Sequence, residues 1–237
     1  MAVTVSSEAE IVDHEAQAVG EAGRLATRIV DNVSRVLEGK RCEVELAVVA
    51  LLAGGHLLIE DVPGVGKTTL ARALARSLGL TFRRVQFTSD LMPADVVGGS
   101  IYEPSTGQFT FREGPIFTHV LLADEINRTT PKTQSALLEA MGERRVSVDG
   151  QTHVLAEPFF VVGTQNPEEF YGTYPLPESQ LDRFLLRLRI GYPPPEVERA
   201  VLARRRGPDA LESLEPVATE DEVIAAQTAV DSVRSEP

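Results

Sequence analysis

Gly64-Val65-Gly66-Lys67-Thr68 sets two glycines before a lysine and a hydroxyl residue, a combination suited to holding a chain of phosphates. Glycines let the backbone curl until consecutive N–H groups point at phosphate oxygens, and a following helix adds the partial positive charge of its N-terminus. Lys67 is expected to reach the β- and γ-phosphates and Thr68 to ligate Mg²⁺, with Pro63 and Thr69 completing the binding loop. Asp61 stands where the usual pattern begins with a glycine. Further along, the apolar run Val120-Leu121-Leu122-Ala123 ends in Asp124-Glu125. Asp124 is expected to hold Mg²⁺ through water and Glu125 to polarise an attacking water, because a metal neutralises developing charge while a carboxylate places the nucleophile in line. Alone, the pair would equally be two solvated acids opening a loop. The phosphate loop upstream is what gives it a role.

Those residues need a strand before the loop, a helix after it and a buried strand ending at the acids. His56-Leu57-Leu58-Ile59 is short enough for a buried strand, and helical spacing resumes at Thr69-Leu70. Phe82 to Phe87 reads as a second strand, and Thr118 to Ala123 is almost wholly apolar, as for a strand covered on both faces. With Phe159 to Gly163 and Phe184 to Ile190, the count is five strands, near 57, 83, 120, 160 and 186. The expected fold is α/β: a five-stranded parallel sheet between helices. Helices are expected from Arg24 to Leu37, from Glu43 to Ala53, from Thr130-Pro131 to Met141 with the threonine capping, and from Glu196 to Arg206. A last helix is announced by the capping box Thr219-Glu220-Asp221-Glu222. Two stretches break the strand-helix alternation and read as hairpins. One turns at Ser105-Thr106-Gly107, with Phe109 and Phe111 on one side, and the other at Asp149-Gly150, a strong type I′ signal.

Composition narrows the classes. The chain has 237 residues, 43% hydrophobic and 24% charged, as in ordinary globular proteins. A net charge of -12 argues against a broad grip on nucleic acid, which needs clustered Lys and Arg. Cys42 is the only cysteine, which excludes an intramolecular disulfide framework and fits a reducing, cytoplasmic location. No basic stretch followed by an apolar run opens the sequence, so no signal peptide is expected, and no segment reaches the roughly 18 apolar residues of a membrane span. Residues 1–23 are polar and acidic without convincing periodicity and are expected to form a flexible arm; 24–191 form the nucleotide-binding core, and 192–237 a partial helical lid after Pro193-Pro194-Pro195. His14, His56, His119 and His153 are scattered, with no zinc spacing.

In order, Gly64-Val65-Gly66-Lys67-Thr68, Leu121-Leu122-Ala123-Asp124-Glu125-Ile126-Asn127-Arg128, Gly163-Thr164-Gln165-Asn166-Pro167 and Leu181-Asp182-Arg183-Phe184 resemble a MoxR-type AAA+ ATPase of the helix-2-insert clade. The resemblance spans about Arg28 to Tyr192 and accommodates Asp61-Val62-Pro63. It implies ATP and Mg²⁺ as ligands, a homo-oligomeric, expectedly hexameric ring, and hydrolysis coupled to remodelling, maturation or metal loading of client proteins. By the same resemblance, Asn166 is the sensor of the γ-phosphate and Arg183 the finger inserted by a neighbouring subunit. Arg128 is a second interface candidate, Val36 and Gly39 line the adenine pocket, and both hairpins meet clients. On the residues alone, Asn166 is also a turn residue before Pro167, Asp182-Arg183 a local ion pair, Arg128 a solvated surface group and Val36 a core residue. A nucleotide-gated binding switch with little turnover, and a small-molecule P-loop kinase, are the competing functions.

Overall fold

A computed structural model describes residues 4–167, 172–204 and 210–233. The chain opens with helices α1 (Thr4–Ser34) and α2 (Arg41–Leu52), then strand β1 (Leu57–Glu60), helix α3 (Lys67–Ser77), strand β2 (Phe82–Gln86) and the short helix α4 (Pro93–Val97). Strands β3 (Gly98–Glu103) and β4 (Gln108–Glu113) precede β5 (Val120–Asp124) and helix α5 (Pro131–Glu143). Strands β6 (Arg145–Val148), β7 (Gln151–Val154) and β8 (Phe160–Gln165) follow, then α6 (Glu178–Leu181), β9 (Leu186–Leu188), α7 (Pro195–Arg204) and α8 (Glu220–Asp231).

Five strands form one parallel sheet in the order β2-β5-β8-β1-β9, at the five places the sequence reading put them. Successive side chains on a strand point to opposite faces, and both faces here are covered. Leu57 and Ile59 of β1, with Val120 and Leu122 of β5, enter a core shared with α1, α2, α3 and α8. Leu58, Leu121 and Ala123 enter the opposite core, where Leu137, Leu138 and Met141 of α5 lie. Double coverage is why these strands read as unbroken apolar runs rather than alternating ones. The two expected hairpins, β3-β4 and β6-β7, stand outside this sheet as separate antiparallel ribbons. Asp149 and Gly150 both have positive φ, 50° and 77°, as a type I′ turn requires. The ribbons touch through His153, whose ring stacks on Phe111 at 3.8 Å between centroids.

The stretch expected to be a flexible arm is instead, from Thr4 onward, the first part of α1. Ala22 and Leu25 are buried along with Ile29, Val30 and Val33. Alanine contributes little to a hydrophobic pattern yet is the strongest helix former, so Ala-rich turns look unpatterned in sequence. The tail also lies on the sheet domain. Its capping box forms: Thr219 Oγ1 accepts from the Glu222 amide at 3.3 Å, and Glu222 Oε2 from the Thr219 amide at 2.8 Å. Arg28 pairs with Glu222 at 2.7 Å and Gln227 Nε2 donates to the Leu51 carbonyl at 2.7 Å, which docks α8 on α1 and α2. Thr130 does precede the Pro131 helix start, but its hydroxyl caps nothing; it faces Thr133 Oγ1 at 3.4 Å. Among the described residues no helix is long and apolar enough to cross a membrane.

His56 is buried where β1 begins. Its Nε2 donates to the Met141 carbonyl at 3.2 Å and its Nδ1 accepts from the Val161 amide at 3.1 Å, tying α5 to β8. Burial pushes its pKa down from 6.5 to about 4; the Met141 carbonyl opposes that shift and the Arg144 charge adds to it. The folded chain thus holds the neutral ring, and the unfolded chain binds the extra proton first. This contribution to stability is full above pH 6.5 and lost as pH falls toward 4, about 3 kcal/mol in all. Denaturant unfolding at pH 7 and pH 4 should show a drop larger by about that amount in the native chain than in His56→Gln; equal drops would refute it.

Candidate active site

The loop expected to hold phosphates joins β1 to α3. Gly64 and Gly66 have φ of 87° and 103°, a region that side-chain-bearing residues rarely enter. Gly66 caps α3 from this left-handed conformation without any side-chain hydrogen bond, so the first-turn amides of α3 point outward with no intrahelical acceptor. That is an anion site in geometry and polarity. Asp61, the departure from the glycine pattern, anchors the loop: its carboxylate accepts from the Val62 amide at 2.8 Å and from the Gly191 amide at 2.6 Å. Lys67 Nζ donates to the Asp61 carbonyl at 2.5 Å.

Pro63, Gly64, Gly66, Lys67, Thr68 and Thr69 face Asp124, Glu125 and Asn166 across a cleft of about 330 Å³. The cleft opens at the carboxyl ends of β1, β5 and β8, where parallel sheets present ligands. Arg84 and Gln86 of β2 complete the lining and were not singled out from sequence. Val65 contributes backbone to the loop, while its side chain is buried in the core. Val36 packs against that same core, and Gly39, at φ 75°, would bring a Cβ to 3.3 Å from Val197; neither is among the residues lining the cleft.

One buried hydroxyl aligns both acids. Thr164 Oγ1 donates to Asp124 Oδ1 at 2.6 Å and accepts from the Glu125 amide at 2.9 Å. Glu125 sits in the left-handed region, φ 58°, a conformation that a side-chain-bearing residue keeps only when its surroundings hold it; the Thr164 contact is one such hold. Glu125 Oε2 accepts from Gln86 Nε2 at 2.8 Å and pairs with Arg128 Nε at 3.1 Å. Arg128 therefore reaches the acid of its own chain. In the sequence Thr164 stands within the run Gly163-Thr164-Gln165-Asn166-Pro167, and the signal for its role is a buried polar residue following the apolar Phe160-Val161-Val162.

Asp124 and Thr68 offer hard oxygen donors, the kind Mg²⁺ takes alongside phosphate oxygens and water. Among the described residues no group of three or more His, Cys, Asp or Glu forms a metal cage. A cation that relies mostly on phosphate and water fits this donor set.

Arg183 does not line the cleft. It is exposed and follows α6, and its guanidinium lies over α5 so closely that a Cβ on Gly142 would stand 2.2 Å from Nη1. The neighbouring Phe184 is buried against β8, where a Cβ at Gly163 would come within 2.9 Å of its ring. The absence of a side chain at Gly163 thus lets the Arg183 turn seat directly on the strand that carries Asn166.

A model of the ATPase family associated with various cellular activities (AAA) matches residues 56–186. The uncharacterized protein YeaC of Bacillus subtilis is 55% identical over 212 residues, which cover 90% of this chain and 66% of that protein. Chaperone MoxR1 of Mycobacterium tuberculosis is 47% identical over 196 residues, 81% of this chain and 52% of that one. The chain thus spans about half to two thirds of the length of these two relatives. The crystal structure of a Cytophaga hutchinsonii protein superposes with a TM-score of 0.83 at 36% identity, covering 96% of this chain and 69% of that one.

Proposed function

This chain belongs to the ATPase family associated with various cellular activities, in its MoxR branch, and from that premise we propose that it binds ATP and hydrolyses it in a ring of like chains. The observation that carries the reading is the convergence of the phosphate loop, Asp124, Glu125 and Asn166 on one cleft. Amides of the loop and Lys67 would grip the phosphates. Mg²⁺ held by Thr68 and Asp124 would supply charge neutralisation at the β- and γ-phosphates. Glu125 takes a proton from water as its oxygen attacks the γ-phosphorus; the bond to the bridging oxygen breaks, leaving ADP and phosphate. Asn166, buried at the end of β8, donates to the γ-phosphate or accepts from that water.

The ring, hexameric on this reading, brings Arg183 of one chain to the cleft of the next. Its work is to remodel, mature or load metal into a client protein in the cytoplasm, as kinship with a protein named a chaperone suggests; the net charge of -12 speaks against nucleic acid as that client. Phosphate release measured against protein concentration tests the proposal. A rate per chain that rises with assembly is expected. ATP bound without turnover at any concentration would leave a nucleotide-gated switch in its place, and no calorimetric heat with Mg²⁺ and ATP would overturn the site itself.

A further inference from the structure

Asp124 already has a cation. On β2, which pairs with β5 so that Gln86 lies opposite Asp124, Arg84 points its guanidinium at Asp124 Oδ2, with Nε at 3.1 Å and Nη2 at 2.6 Å. The other carboxylate oxygen is taken by Thr164. Arg84 Nη2 also donates to Gln86 Oε1 at 3.2 Å, and Gln86 Nε2 in turn holds Glu125. The pair is lopsided in exposure: the Asp124 side chain is 12% exposed and that of Arg84 49%. A nearly buried carboxylate without a counter-charge is costly, and Arg84 supplies that charge from a side chain half in solvent that can swing away.

A metal held at Asp124, directly or through water, draws on the carboxylate whose Oδ2 the guanidinium covers, and two cations beside one carboxylate repel. The two therefore compete. We propose that Arg84 is a positioning residue that stands in for the metal at Asp124, giving way when a divalent cation arrives with nucleotide and so lowering the metal dependence of nucleotide binding. The proposal rests on the ATP-site reading. While no metal is bound, the guanidinium cancels the Asp124 charge that would otherwise repel the phosphates; when metal enters, it competes for the carboxylate. Removing it acts in the same direction on both counts: metal-free binding weakens and metal-assisted binding gains.

The test is the dissociation constant of a fluorescent ADP analogue, which needs no hydrolysis, in excess EDTA and in MgCl₂. The ratio of the two should rise by about tenfold or more in Arg84→Ala relative to the native chain, the scale of a charge-assisted hydrogen-bond pair. Arg84→Lys, which keeps the charge but loses the two-pronged contact, should give a smaller rise, and it carries the test if Arg84→Ala does not fold. In an Asp124→Asn background the Arg84→Ala change should leave the ratio where it was. Equal weakening in EDTA and MgCl₂ would mean simple attraction of phosphate and would overturn the proposal, as would an unchanged ratio. A native chain that binds the analogue under neither condition would overturn the ATP-site reading, a distinct result.

Discussion

Arg183→Ala is expected to lower ATP turnover about 10³-fold while ATP affinity stays near that of the native chain, the size of effect an arginine delivers to a phosphoryl transition state. The direction follows from where the side chain is. Lys67, Asp124, Glu125 and Asn166 share one cleft, and Arg183 is outside it, exposed and laid across Gly142 of α5. If it serves a transition state, it serves that of another copy. A mixing experiment reads this directly. Arg183→Ala has an intact cleft and Glu125→Gln an intact finger, so mixed assemblies should regain turnover that neither variant shows alone. Loss of turnover with no recovery on mixing, in samples that assemble normally, would refute the finger; so would an unchanged rate.

Glu125→Gln is expected to cost about 10²- to 10⁴-fold in turnover, the span of a lost general base, and to leave ATP bound. The amide keeps the shape of the side chain but cannot accept a proton from water. The left-handed turn that presents it is held from the backbone by Thr164, a contact the substitution leaves in place, so the turn is expected to persist while the ion pair with Arg128 is lost. Filter binding with labelled ATP and a phosphate-release assay on the same sample separate the two effects. Weak binding together with weak turnover would show that Glu125 shapes the cleft rather than the reaction. On the proposed function, a variant that traps ATP is also expected to hold a client protein long enough for the two to be purified together.

The phosphate loop and the acid pair were legible because each is contiguous: the spacing of Gly64, Gly66 and Lys67, and the abrupt end of an apolar run at Asp124-Glu125, are local facts. The inner strands β1, β5 and β8 were legible because burial on both faces leaves nearly unbroken apolar runs, whereas β2 and β9, at the sheet edges, carry exposed arginines between their apolar residues. Arg84 and Gln86 share one strand face by their spacing, yet nothing in the sequence says that β2 lies next to β5; sheet order is set by crossovers, not by neighbours in the chain. The role of Thr164 stayed hidden for the same reason, since its two partners sit at and just past the end of a different strand, β5. The part of α1 before Arg24 was missed because alanine builds helix without building pattern, and the burial of α1 depends on α8, which arrives some two hundred residues later.

Asp61 makes the binding loop and the far edge of the domain a single mechanical piece. Its carbonyl rests on Lys67, its carboxylate holds the Gly191 amide, and next door Lys40 Nζ grips the Ile190 carbonyl while Gly39 abuts Val197 of α7. A ligand that draws Lys67 from the Asp61 carbonyl would therefore act on the residue whose carboxylate also holds Gly191, where the chain leaves β9 for α7.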